Sequence, residues 1–175
     1  MAENLSISPE SSRMELANRL FFRLYQCANM LHKTGSRAVE KEGLTTQQWA
    51  VLGALSRPAA AQGMAVGELA RYLMVTRQNL TGLLSRMARD GHIAQTPDPA
   101  DKRAKLVTMT ASGRRVWLHE ASPKIAQYYD EALQGFSVND LAHTLHYLLK
   151  LLDNMQAIDA AHGASDPADA SDAGA

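Results

Sequence analysis

Four polar side chains recur on one side of a short helical stretch: Arg77, Gln78, Thr81 and Ser85. Leu80, Leu84 and Met87 take the opposite side. Arginine carries a fork of donors that fits guanine O6 and N7, and Gln or Asn can pair bidentately with adenine. All four side chains can also donate to phosphate oxygens. Thr76 is placed to cap the helix, and Asn79 lies in its first turn. The positive end of the helix dipole favours phosphate at that end. A second charged group is Asp98-Pro99-Ala100-Asp101-Lys102-Arg103, too polar for a core. Arg103, beside Lys102 near the tip, suits a narrow minor groove of concentrated negative potential. Asp101 would repel phosphate there. A bracing role fits it better, with Arg86 as its candidate partner.

These side chains need elements to hold them, and Met64–Thr110 supplies a plan. Met64-Ala65-Val66 reads as a one-rung strand. Gly67–Met74 is a short helix with Leu69, Ala70 and Leu73 inward, and Arg77–Arg89 is the capped helix. Asp90-Gly91 stops it, because glycine can take positive φ. His92–Gln95 is a strand, Thr96–Arg103 a loop, and Ala104–Met109 the return strand. The fold class is mainly α with a small β-hairpin wing. A polar helix face is ordinarily a solvated face. The order of short helix, turn, capped helix, glycine stop and charged hairpin points beyond that, to duplex DNA.

Residues 1–11 are polar and expected to be disordered. From Ser12 to about 42, Leu16, Leu20, Leu24, Cys27 and Leu31 form one apolar stripe, with a bend expected at Gly35 and a C-cap near Gly43. Thr45 or Thr46 caps a second helix that buries Trp49, Val51, Leu52 and Leu55 and ends at Arg57-Pro58. Thr110 caps a helix running through Val116, Trp117, Leu118 and Ile125 towards Gly135, with a kink or break expected at Pro123. Ser137 and Asp140 form a capping box for the last helix, whose apolar face is Leu141, Leu145, Leu148, Leu149 and Leu152, continuing to Met155. From residue 160 the chain is Ala, Asp, Ser, Gly and Pro, and disorder is expected to the end at 175. The plan is one domain, 12–159, with a winged helix at 45–110 between flanking helices at 12–42 and 111–158. The first stripe is wider than one neighbouring helix can cover, which predicts pairing with a second copy.

Composition narrows the classes. Among 175 residues, 46% are hydrophobic and 21% charged, with zero formal net charge. The average hides an asymmetry: Gly67–Lys105 holds seven basic and four acidic residues, while the stretch from Asp159 holds four aspartates and no Lys or Arg. A mildly basic centre is compatible with DNA if a dimer doubles it. There is no transmembrane-length apolar run and no signal-peptide pattern, so a cytoplasmic location without membrane contact is expected. A single cysteine allows neither an internal disulfide nor a zinc cluster. No HExxH, phosphate loop or Gly-x-Ser-x-Gly elbow is present, and no enzyme activity or cofactor is expected. His143 and His146, three apart with Asp140 nearby, fit a solvated helix face better than a metal site.

Residues 64–110 resemble the winged helix of the MarR family of bacterial transcription regulators. The matching pieces are Gly67-Glu68-Leu69-Ala70, Val75-Thr76-Arg77-Gln78-Asn79-Leu80-Thr81, Leu84-Ser85-Arg86-Met87-Ala88-Arg89-Asp90-Gly91, the Asp98–Arg103 loop and Leu106-Val107-Thr108-Met109-Thr110. Thr45–Leu52 resembles the family's second helix. The likeness covers roughly 15–155. It implies a symmetric homodimer built from the first and last helices and a pseudo-palindromic operator, usually with repression relieved by a small ligand. It also implies Arg103 as the minor-groove finger and Asp101 as the wing brace. The resemblance places an effector pocket among the first, second and fifth helices, where Arg23, Tyr25, Asn29, His32 and Trp49 have suitable chemistry for an aromatic acid, a phenolic compound or a related thioester. Alternatives are redox sensing through Cys27, which the apolar stripe predicts to be buried and inert, and a helical interaction module without DNA binding.

Overall fold

The structure, a computed structural model, describes residues 9–98 and 104–163. They divide into two compact units, one up to Asp130 and one from Glu131.

The first unit opens with α1, Pro9–Ala38. Proline suits the first helical position, where its missing N–H would be unbonded anyway. The helix starts inside the stretch expected to be disordered, and it runs unbroken through Gly35, where a bend is expected. That glycine serves close approach instead: a Cβ there would lie 2.6 Å from Thr46 Cγ2 and 3.2 Å from the Trp49 ring. After a 3-10 turn at Glu40–Glu42, α2 spans Thr46–Leu55. Thr45 caps it in a full capping box with Gln48, whose side chain is itself buried. The segment after α2 holds a 3-10 turn, Pro58–Ala60.

Next come β1 (Met64–Ala65), α3 (Val66–Leu73), α4 (Arg77–Arg89), β2 (Ile93–Pro97) and β3 (Lys105–Met109). The strands form one antiparallel sheet in the order β1-β3-β2. Met64 pairs with Val107, and Ile93 with Met109. β2 runs past the expected loop start at Thr96, because Thr96 and Pro97 pair with Leu106 and Lys105. The core gathers α2, α3, α4 and the sheet: Leu52, Leu69, Leu80, Leu84, Met87 and Val107 are fully buried.

Thr110 caps α5, Ala111–Arg115, accepting from Gly113 N–H. No break occurs at Pro123. α5 passes through a π-helical turn, Val116–Ala121, into α6, Ser122–Ala132. In that turn Trp117 O takes both the N–H and the Oγ of Ser122. The wider turn has already given up the regular i→i−4 ladder where proline, without an N–H, would have broken it. Trp117 packs against α2, its ring 3.4 Å from where a Gly53 Cβ would sit.

The second unit contains α7, Val138–Gly163. Ser137 and Asp140 make the expected capping box, with Ser137 N and Oγ both donating to the Asp140 carboxylate. Those bonds hold the Asp140 carboxyl below its ordinary range. α7 continues beyond 158 through an Ala-rich stretch of high helix propensity. The His162 ring bonds the Ile158 carbonyl in the last turn. Among the described residues no helix is long and apolar enough to cross a membrane.

Candidate nucleic-acid interface

α4 is positioned by one face. Leu80, Leu83, Leu84 and Met87 are buried, and the turn before the helix is fixed by Thr76, whose hydroxyl accepts from Asn79 N–H at 3.2 Å. The turn itself needs a left-handed residue, and Met74 takes it with φ 55°. Arg77, Gln78, Thr81 and Ser85 are all exposed on the remaining side, as the spacing predicts.

Their hydrogen-bond states refine that expectation. Thr81 Oγ1 donates to Arg77 O at 2.8 Å, and Ser85 Oγ donates to Thr81 O at 2.9 Å. With their protons committed to the helix, both hydroxyls present lone pairs. They therefore suit base amino groups, while phosphate oxygens need a donor. Arg77 and Gln78 remain the donors of the face. Asn79 also lines a cavity on the other flank of α4.

The hairpin stem closes with Asp98 N donating to Ala104 O at 3.0 Å. Asp101, Lys102 and Arg103 lie beyond that point, outside the described residues. Arg86 is exposed on α4. Its pairing with Asp101 stays an expectation.

The cavity measures about 250 Å³ and lies among α1, α2, α3 and α4. Its polar lining is His32, Thr46, Gln47 and Asn79, set among Leu31, Leu73, Val75, Leu80 and Leu83. His32 Nδ1 is 2.7 Å from Thr46 Oγ1, which is 3.3 Å from Ser36 Oγ. That engagement leaves Nε2 for a ligand. This cavity lies nearer α4 than the effector pocket expected among the first, second and fifth helices. Of the five residues expected in it, only His32 lines this cavity. Trp49 instead meets Tyr128 and Tyr129 edge-on, with centroids 6.1 and 5.7 Å away, and Tyr128 OH bonds Thr34 Oγ1. Burial raises the Tyr129 phenol above its ordinary value, partly offset by a hydrogen bond with Trp49. Arg23 bonds Gln26 on the exposed side of α1, where Tyr25 and Asn29 are exposed as well. Spacing on α1 alone could not separate His32 from these three. The Gln47, Val75 and Asn79 lining was missed because it depends on how α2 and α4 pack.

Cys27 is exposed, against the expectation of a buried thiol, since its stripe neighbour Leu31 is uncovered too. On α7, Asp140 bonds Ser137 through Oδ2.

A capped recognition helix over a three-helix core, followed by a two-stranded wing, defines a winged helix-turn-helix DNA-binding regulator. The chain belongs to the MarR family, whose model matches residues 42–104. It is 73% identical over 148 residues to the transcriptional activatory protein BadR of Rhodopseudomonas palustris, covering 85% of each chain. It is 28% identical over 110 residues to the homoprotocatechuate degradative operon repressor of Escherichia coli, covering 63% of this chain and 72% of that one. Among solved structures, the M. tuberculosis regulator MosR in complex with DNA superposes with a TM-score of 0.68 at 26% identity, over 78% of this chain and 96% of that one.

Proposed function

We propose that the protein is a homodimeric, effector-responsive transcription regulator of the cytoplasm. In this proposal α4 of each protomer reads a major-groove half-site of a pseudo-palindromic operator. Lys102 and Arg103 reach the flanking backbone and minor groove, with Asp101 and Arg86 bracing the wing. The observation that carries it is the capped, exposed polar face of α4 standing on a fully buried apolar one. Pairing is supported by uncovered apolar side chains within each unit. Phe22 on α1 is 59% exposed and Leu145 on α7 is 58% exposed, far from what an isolated chain would leave in water.

The effector is proposed to occupy the cavity beside α4. An apolar cavity of about 150 Å³ can hold benzene, so this volume suits one substituted ring. An aromatic acid would place its ring against the leucines and its carboxylate at His32. A thioester would have only its acyl part inside. The name of the homoprotocatechuate repressor, a regulator tied to an aromatic acid, agrees with that chemistry. Identity to a protein named as an activator favours activation over the repression expected from the resemblance.

Gel shift against DNA from the protein's own upstream region tests the wing. Arg103→Ala is expected to lose the shift with dimer mass unchanged, and an unaffected shift overturns the wing assignment. A thermal-shift screen of benzoates and phenylacetates tests the cavity. A ligand at 100 times its Kd should stabilise by about 2.7 kcal/mol, and His32→Ala should remove most of that rise. No rise with any aromatic acid would count against this ligand class.

A further inference from the structure

The role of Arg77 depends on where its guanidinium lies before DNA arrives. Among the described residues the guanidinium itself has no hydrogen bond or ion pair. It lies instead against the start of α3. A Cβ built on Gly67 would meet Arg77 Nη2 at 3.1 Å, Nε at 3.3 Å and Cζ at 3.4 Å. The two nitrogens are nearer than the central carbon, so the group leans on the glycine by its Nε–Nη2 edge rather than by its flat face. Nη1, opposite that pair in the planar group, is left directed away from the glycine. A side chain at position 67 would crowd this edge.

We infer that Gly67 is a positioning residue for DNA recognition: its bare backbone is the platform that sets the direction of the Arg77 guanidinium. The inference rests on Arg77 being a DNA contact, as proposed above. A methyl at 67 pushes the guanidinium edge back by a few tenths of an ångström, and a larger side chain displaces it further. Folding should tolerate this, because the displaced atoms are the end of a flexible chain, and alanine is preferred to glycine inside a helix. The loss is therefore in binding, through an arginine that must be reoriented when DNA docks.

The experiment is a double-mutant cycle, read as operator affinity by fluorescence anisotropy on the full-length protein, with melting curves alongside. Gly67→Ala is expected to weaken binding about threefold and Gly67→Leu tenfold or more, approaching Arg77→Ala. Both effects should vanish in an Arg77→Ala background. Melting should be unchanged or raised for Gly67→Ala, so a folding defect does not imitate the result. Equal losses with and without Arg77 would overturn the inference and assign the glycine a direct approach to DNA. Unaltered affinity in both Gly67 variants, with Arg77→Ala still weakened, would overturn it while leaving the α4 interface standing. Unaltered affinity in Arg77→Ala would overturn both.

Discussion

Gly113→Ala is expected to destabilise the winged helix by about 3 kcal/mol or more, at the upper end of overpacking costs. A Cβ at this position would strike the His92 carbonyl oxygen and lie 2.8 Å from His92 C and 3.1 Å from His92 Cα. Neither side can give way. His92 N donates to Met87 O at 2.9 Å, and His92 O accepts from Thr110 N at 3.1 Å. Thr110 Oγ1 donates to Gly91 O at 2.6 Å while accepting from Gly113 N at 2.9 Å. One threonine thus ties the end of α4 to the start of α5, and the glycine lets the two backbones touch. For a chain of this size the melting temperature should fall by roughly 10 °C. Gly82→Ala is the control. It lies exposed in α4, with only Arg86 Nη1 near, at 4.0 Å. It should gain up to about 1 kcal/mol. A Gly113→Ala protein that melts with the wild type would refute the close packing of α5 on the β2 start.

The pair Arg77→Ala and Gln78→Ala, combined, is expected to weaken operator binding a hundredfold or more. A bidentate base contact is worth about 1–3 kcal/mol, and a symmetric dimer makes each contact twice. Both side chains are exposed, so the core beneath α4 should be unaffected and the melting curve unchanged. The salt dependence separates the two contributions. If Arg77 contacts phosphate, its loss reduces the slope of log affinity against log salt by about one per contact. If it reads a base, discrimination between operator variants falls instead. Full affinity in the double variant would remove α4 as the reader.

The helix-turn-helix was legible because its signals are local. Leu80, Leu84 and Met87 recur at helical spacing, Thr76 precedes them, and Gly91 follows. The caps at Thr76, Thr110 and Ser137 follow the same short-range logic. What the sequence did not disclose depends on packing between distant elements. Gly35 looked like a helix breaker because its neighbour Thr46 is invisible along α1. Pro123 pointed to a kink or break because nothing local announces a π turn. The cavity joins His32 of α1 to Val75 and Asn79 beside the recognition helix, and no periodicity within one helix encodes that meeting. Cys27 and Leu31 were expected to be covered together. Within one chain both are exposed, which moves the question of their burial to the partner copy.

The cavity proposed for the effector lies directly beside the exposed polar face of α4. Leu80 and Leu83 line it from α4 while Gln78 and Thr81, on the same two turns, face outward. In the proposed function, a ligand that shifts α4 through these leucines would carry the polar face with it. The direction of the coupling follows from which helix position the operator prefers.

Selection of bound sequences from a random duplex pool by the purified full-length protein tests the central claim most directly. A two-fold motif is expected, with half-site centres about 34–36 Å apart, one helical turn. The motif should lose information at the half-site positions in the Arg77→Ala/Gln78→Ala variant. Enrichment of no motif, or of the same motif at the same strength by wild type and variant, would contradict sequence reading by α4.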